Sequence, residues 1–465
     1  MSKHIQSFCI RIASMLSILF LSGCATMDDP AQARNDHTRR FSTELDQLAQ
    51  EQLKESLSLD QCIALAMTQS YEARQADLKV QLAKLDKDIA FANFLPQVTA
   101  TAGLTTWSIP QSSRDIQVAD KTYSSLSTRT TLPLLVPAAY FLYQNTKLAQ
   151  DTTKLAAHLV RQTILLQTTV SFFECLILQD TIAAKTTQLQ AAQEQYKRIK
   201  GLADEELVAQ WEAGQAFYLQ EATQADLQHA KRALAAANAS LLKTIGLNPL
   251  AKLTLKRENL PDPQPPRNTP AENVIVALAS HPSLSIADHA IVIHENMVRM
   301  AIANFLPNIG AFVNASWTTD SFAKHVHSLY GGFNATMDVF KGFTKLKGYK
   351  AAKLRKQSAE WERDSLFLSI ILEVVKADNA VRNAFDAHAI ANLAATTSEE
   401  KFDDYYKKQR EGLVTVNDML EAQAARDNAQ TALTRANFER HLALTQLQMA
   451  LGIIEPPNIS PKTEN

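Results

Sequence analysis

Helix-breaking residues are what this sequence has least of. Its 465 residues include 12 Gly and 16 Pro, whereas glycine alone averages roughly 7% of a typical chain. A chain so poor in both can hold very long helices. The same shortage excludes collagen-like and linker-rich architectures. Four cysteines in such a length make no disulfide scaffold. A net charge of −1 removes the electrostatic reason for a nucleic-acid partner. With 46% hydrophobic and 20% charged residues, the chain is not a disordered one.

Catalytic signals are missing too. There is no Gly-Lys-Ser/Thr phosphate loop, no nucleophile elbow and no cysteine pair at metal-ligand spacing. His325-Val-His327 has no Cys or acid cluster beside it, and His294-Glu295 lacks the second His of a zinc helix. Neither an enzyme, nor a metal, nor a cofactor beyond a covalent lipid is expected. Trp211 and Trp361 fall on expected helices and read as packing residues.

What is present begins with a leader. Lys3 and Arg11 precede the apolar run Ile12–Leu21, too short to span a bilayer as a mature helix. It ends in Leu21-Ser22-Gly23-Cys24, which resembles a bacterial lipobox with Cys24 as the lipidated residue. Residues 1–23 then form a signal peptide and 24–56 a tether. Ala25 after the cysteine implies sorting to the outer membrane. Loss of Lys3 and Arg11 takes the charge from −1 to −3 (−1 − 2). One lipid attachment anchors only weakly, and no other run of about 18 apolar residues exists to span as a helix. Strands closed into a barrel are the remaining way to span. Of the remaining cysteines, Cys62 and Cys175 are expected to be buried thiols rather than a bridge.

The chain also repeats itself. Ala90-Phe-Ala-Asn-Phe-Leu-Pro96 and Ala301-Ile-Ala-Asn-Phe-Leu-Pro307 share six of seven residues at an offset of 211. Glu206-Leu-Val and Gly412-Leu-Val match at an offset of 206, and each runs 40 positions on to a glycine, Gly246 or Gly452. The repeats are read as 57–260 and 271–454, joined by a Pro-rich linker at 261–270 and followed by a tail at 455–465. Each opens with a helix, about 58–93 or 271–304, that must end before Pro96 or Pro307, the helix-to-strand junctions. Two strand-like runs follow, 98–107 and 123–135 in the first repeat, 309–317 and 328–340 in the second. Their length suits tilted membrane strands. Trp107, Tyr123, Trp317, Phe322 and Tyr330 stand at strand ends, where an aromatic girdle would lie. Two long helices then meet at a turn, placed at Gly201-Leu202 in one repeat and at Gly412-Leu413 in the other.

Two tandem copies of helix, Phe-Leu-Pro, strand, strand, long helix, turn, long helix resemble the TolC-like outer-membrane efflux proteins. The lipobox resembles that of their lipidated, OprM-like branch. The resemblance implies a mixed, mainly α fold: a long-helix α-barrel with four membrane strands per chain, completed as a 12-stranded β-barrel in a homotrimer. It implies a passive exit duct in the bacterial outer membrane, reaching into the periplasm. An inner-membrane pump and a periplasmic membrane-fusion adaptor would deliver drugs or other small molecules to it. The turns Gly201, Leu202, Gly412 and Leu413 would be the tips that touch the adaptor. Asp418 and Glu421, one helical turn apart, would form the acidic periplasmic gate. The first repeat departs from this pattern, since the 40-residue spacing points to Glu206 where a glycine belongs. A type I protein-secretion duct fits the same sequence. A lipid-anchored periplasmic coiled-coil scaffold without a pore is the alternative of another class.

Overall fold

The computed structural model describes residues 30–109, 111–113, 116–257 and 262–454. The lipobox and Cys24 lie outside the described residues. Helix α1 (Pro30–Gln52) occupies the region read as a tether. The first repeat then runs α2 (Leu59–Gln69), α3 (Tyr71–Ala92), β1 (Gln97–Thr106), β2 (Ser112–Ser113), β3 (Ile116–Gln117), β4 (Thr122–Leu135), α4 (Pro137–Asp204) and α5 (Gln210–Thr244). The second runs α6 (Pro270–Ser280), α7 (Pro282–Ala303), β5 (Asn308–Thr318), β6 (His327–Thr336), α8 (Thr344–Arg410) and α9 (Val416–Ala450).

The opening helix of each repeat is broken, where the sequence suggested one continuous segment. Ser70 ends α2 and caps α3 by accepting a hydrogen bond from the Glu72 amide. In the second repeat His281 is held extended before Pro282, and the two pieces bend by 44°. Capping boxes, Ser58 with Gln61 and Thr269 with Glu272, open the first pieces, and the signals at the breaks are Ser70 and the His281-Pro282 step. Strand β6 also stops at Thr336, four residues short of the expected end at 340. Among the described residues no single helix is long and apolar enough to cross a membrane, although α6 and α7 pass that test as a bent pair.

Helices α4 and α8 have 68 and 67 residues, about 100 Å each at 1.5 Å per residue. Each therefore runs through two storeys. Near the sheet, α4 packs between α3 and α7, and α8 packs on α7. Arg161 on α4 pairs there with Asp77 on α3, and Lys356 on α8 lies 3.4 Å from Glu295 on α7. In the far storey the order is α5, α4, α9, α8. Phe173 on α4 stacks on Phe438 of α9 with centroids 4.6 Å apart, and Lys185 reaches Asp226 of α5 at 3.0 Å.

The two cores show the duplication residue by residue. Ile164, Leu241 and Ile245 are buried in the first, and Ile370, Leu447 and Leu451, each 206 positions later, in the second. One layer differs in chemistry. Cys62 and Phe172 are buried in the first repeat, and their counterparts are Asn273 and Asp378. Asn273 Nδ2 donates to Asp378 Oδ1 at 3.1 Å and Arg382 Nε to Oδ2 at 2.8 Å, so the buried carboxylate is fully compensated. Cys62 and Cys175 are both buried free thiols, and burial pushes each up to about 12.

Candidate functional site

Two features can act on other molecules: the faces of the sheet and the turns at the opposite end. The main sheet has the order β1-β4-β5-β6, all antiparallel. Its register sorts most side chains by chemistry, with Ser124, Thr128 and Thr130 on the otherwise apolar face and Phe312 on the polar one. Val98, Ala100, Ala102 and Leu104 share a face with Leu126, Leu132, Ala311, Val313, Ala315, Leu329 and Phe333. The opposite face carries Thr99, Thr101, Ser125, Ser127, Arg129, Asn314, Ser316, Ser328 and Tyr330. On that polar face Asn314 Nδ2 donates to Tyr330 Oη at 2.7 Å, and the Ser316 and Ser328 hydroxyls lie 2.6 Å apart. Alternation of this kind, with leucine, valine and phenylalanine left exposed on one side, fits lipid on one face and water on the other. It also corrects the girdle. Trp317 lies on the apolar face beside Leu126 and His327, but Tyr123 and Tyr330 point to the polar face.

Pro96 and Pro307 stand directly before β1 and β5. The helices ahead of them end at Asn93 and Asn304, and tight turns such as Phe94 N to Phe91 O (3.0 Å) and Phe305 N to Ile302 O (3.0 Å) lead into the prolines. Beyond the outer strand ends, the two connecting loops are tied by paired aspartates. The Asp120 amide donates to Asp320 Oδ1 at 3.0 Å, and the Ser321 hydroxyl donates to Asp120 Oδ1 at 3.0 Å.

At the far end each long-helix pair closes through one motif. In the second repeat the Gly412 amide donates to Gln409 O at 3.1 Å and the Leu413 amide to Lys408 O at 2.8 Å. This is a Schellman closure with Gly412 left-handed, φ 73°. In the first repeat the same pair of bonds runs from Glu206 to Ala203 O (3.1 Å) and from Leu207 to Leu202 O (2.9 Å). Gly201 and Leu202 are thus still inside α4, and the turn belongs to Glu206 and Leu207. The glycine misled because Gly-Leu was matched by residue type; the 40-residue spacing to the next helix end identified the right position. Leu207 and Leu413 are exposed at the two turns, about two-thirds accessible (66% and 68%).

Glu206 holds φ 60° without being glycine. A left-handed non-glycine residue costs about 1 kcal/mol or somewhat more, part of which glycine's greater unfolded freedom offsets. Glu206→Gly should therefore slow amide exchange at residues 206 and 207 by about two- to five-fold, read by native-state hydrogen exchange.

Asp418 has a local task. The Thr415 hydroxyl accepts from the Asp418 amide at 3.2 Å, while Asp418 Oδ2 accepts from the Thr415 amide at 2.9 Å and from its hydroxyl at 2.6 Å. This is a capping box at the start of α9. The hydrogen bonds from Thr415, with Arg198 of α4 nearby, hold the carboxyl below the usual aspartate range. Glu212, 206 positions earlier, takes the same place, accepting from the Ala209 amide at 3.4 Å. Glu421 lies one turn further along α9 and is exposed.

Residues 274–453 match the model of the outer membrane efflux protein family. The match spans nearly all of the second repeat and no part of the first. The matched segment includes the Gly412 turn, Asp418, Glu421 and the β5–β6 hairpin. No curated protein sequence matches the chain. Solved structures match its fold over most of its length. The Campylobacter jejuni CmeC outer membrane channel superposes with a TM-score of 0.74 at 16% identity, covering 86% of this chain and 87% of that one. The outer membrane protein VceC of Vibrio cholerae gives 0.68 at 16%, covering 85% and 96%. The open state of the Neisseria gonorrhoeae MtrE outer membrane channel gives 0.66 at 18%, covering 85% and 88%. The mainly helical fold with a few antiparallel strands, read first from the repeat, is the fold of these proteins, and the second repeat is similar to outer membrane efflux proteins.

Proposed function

We propose that the chain is one protomer of a trimeric outer-membrane exit duct in a tripartite efflux system. The observation that carries this reading is that every storey is left open on the same two flanks. The sheet ends in β1 and β6, the near storey in α3 and α8, and the far storey in α5 and α8. Apolar stripes mark those flanks. Leu78, Leu82, Leu85 and Ile89 are exposed along α3, and Leu354, Trp361, Leu368 and Leu372 along α8. Trp361 is thus on an uncovered stripe, and Trp211 is exposed at the start of α5. Neither packs within its own chain as the sequence suggested. An open strand edge cannot face lipid, and four strands do not close a membrane barrel. A head-to-tail ring joins β1, α3 and α5 of one copy to β6 and α8 of the next, and three copies supply twelve strands.

The remaining parts follow the same reading. Leu207 and Leu413 are the surfaces offered to a periplasmic adaptor, and Cys24 is the lipidated residue. Asp418 and Glu421 line the periplasmic entrance, with Asp418 also capping α9. Cargo reaches the duct from an inner-membrane pump; small molecules are favoured over secreted protein by the lipidated leader.

Planar-bilayer recording tests this. The purified protein should run as a heat-modifiable trimer and conduct in discrete steps. Multivalent cations added from the periplasmic side should block it, and Asp418→Ala with Glu421→Ala should weaken that block. Glu421→Gln alone should weaken it without disturbing the α9 cap. Absence of conductance would favour the pore-less scaffold.

A further inference from the structure

One charged side chain stands apart in the sheet. Among the residues of β1, β4, β5 and β6, Arg129 is the sole Lys, Arg, Asp or Glu. It lies near the middle of β4, seven residues from Thr122 and six from Leu135. The register puts it on the polar face, opposite Thr99 of β1 and Asn314 of β5. A guanidinium at that depth on the lipid side would cost about 2–4 kcal/mol, so its face is the one that requires no such cost.

The side chain is also held. Its guanidinium carbon sits 5.4 Å from the Phe312 ring centroid, within cation–π range. Phe312 in turn meets Tyr330 edge-on at 6.2 Å, and Tyr330 Oη accepts from Asn314 Nδ2. Gly332 lies opposite Phe312, and a Cβ there would make only ordinary contact with the ring at 3.6 Å. Arg129 is exposed and makes no ion pair among the described residues. It is a fixed positive charge with no acid to neutralise it.

We propose that Arg129 is the anion-selecting residue of the duct, and that the solutes it favours in the outer-membrane segment carry net negative charge. The inference rests on the duct reading: a trimer repeats Arg129 three times at one height of the water-filled sheet interior. Rings of like charge set ion preference in pores. With a screening length of about 10 Å at 0.1 M salt and 3 Å at 1 M, the preference belongs to dilute solution. It also has the opposite sign to an acidic entrance, so the two ends of the passage sort charge differently.

The test is the reversal potential of single channels in a tenfold KCl gradient, 0.1 M against 0.01 M. Arg129→Gln should lower the chloride-to-potassium permeability ratio at least about two-fold, with the difference vanishing in 1 M salt. Arg129→Lys, which keeps the charge, should retain the wild-type ratio. Asn314→Asp, which places an acid opposite Arg129, should lower the ratio as Arg129→Gln does and serves if the latter fails to assemble. Conducting Arg129→Gln or Asn314→Asp channels with an unchanged ratio would overturn the inference and leave the duct standing. A wild-type protein that does not conduct would instead remove the duct reading itself.

Discussion

Val313→Arg should abolish the heat-resistant trimer, whereas Asn314→Arg, one residue along the same strand, should leave it intact. Val313 faces Thr130 and Gly331 on the apolar side of the sheet, and Asn314 faces Arg129 and Tyr330 on the polar side. An arginine turned to lipid near mid-membrane costs about 2–4 kcal/mol, and a ring of three multiplies that to roughly 6–12 kcal/mol. On the polar face the same side chain stays in water. Semi-native electrophoresis of both variants in outer-membrane extracts reads the result. Equal loss in both, or in neither, would mean that the two faces do not separate lipid from water.

The second large effect concerns glycines of like conformation in unlike surroundings. Gly246 and Gly412 have φ 78° and 73°. A Cβ on Gly246 would stand 2.5 Å from the carbonyl oxygen of Gln69, at the end of α2, while one on Gly412 would meet nothing within 4 Å. Gly412→Ala should cost about 1 kcal/mol, from the left-handed backbone alone. Gly246→Ala adds a backbone clash worth a further 1–3 kcal/mol or so. The hydrogen-exchange protection of the α2 and α5 ends should therefore fall far more in Gly246→Ala than that of the turn falls in Gly412→Ala. Similar losses in both would show that α2 yields to the added methyl group.

These contrasts explain what could be read in the sequence. Pro96 and Pro307 were legible because proline constrains the backbone wherever it stands. The strands were legible because a membrane strand repeats its chemistry every second residue, as Val98, Ala100, Ala102 and Leu104 do. The breaks at Ser70 and His281 were harder, since a cap interrupts a helix without interrupting its apolar pattern. Glu206 was harder still. Its backbone adopts the glycine conformation because the two helices it joins fix their separation, and no residue-type rule anticipates that. For Asp418, the family resemblance suggested a gate, while the bonds to Thr415 show that much of its carboxylate is engaged at home. The Arg129–Phe312 pairing needed the register, because the two lie on strands from different repeats.

The open flanks have a further consequence. A lone protomer exposes the Leu78–Ile89 stripe and two strand edges, so in the proposed trimer much of what stabilises the assembled form would be absent before its neighbours arrive. Stability of this kind follows mass action and cannot be assigned to a single chain. Unpaired edges and apolar stripes are also the surfaces through which chains aggregate. In the proposed trimer, the number of finished assemblies would then be set by a race, in which each new chain must find two partners before a protease or an off-pathway aggregate finds it.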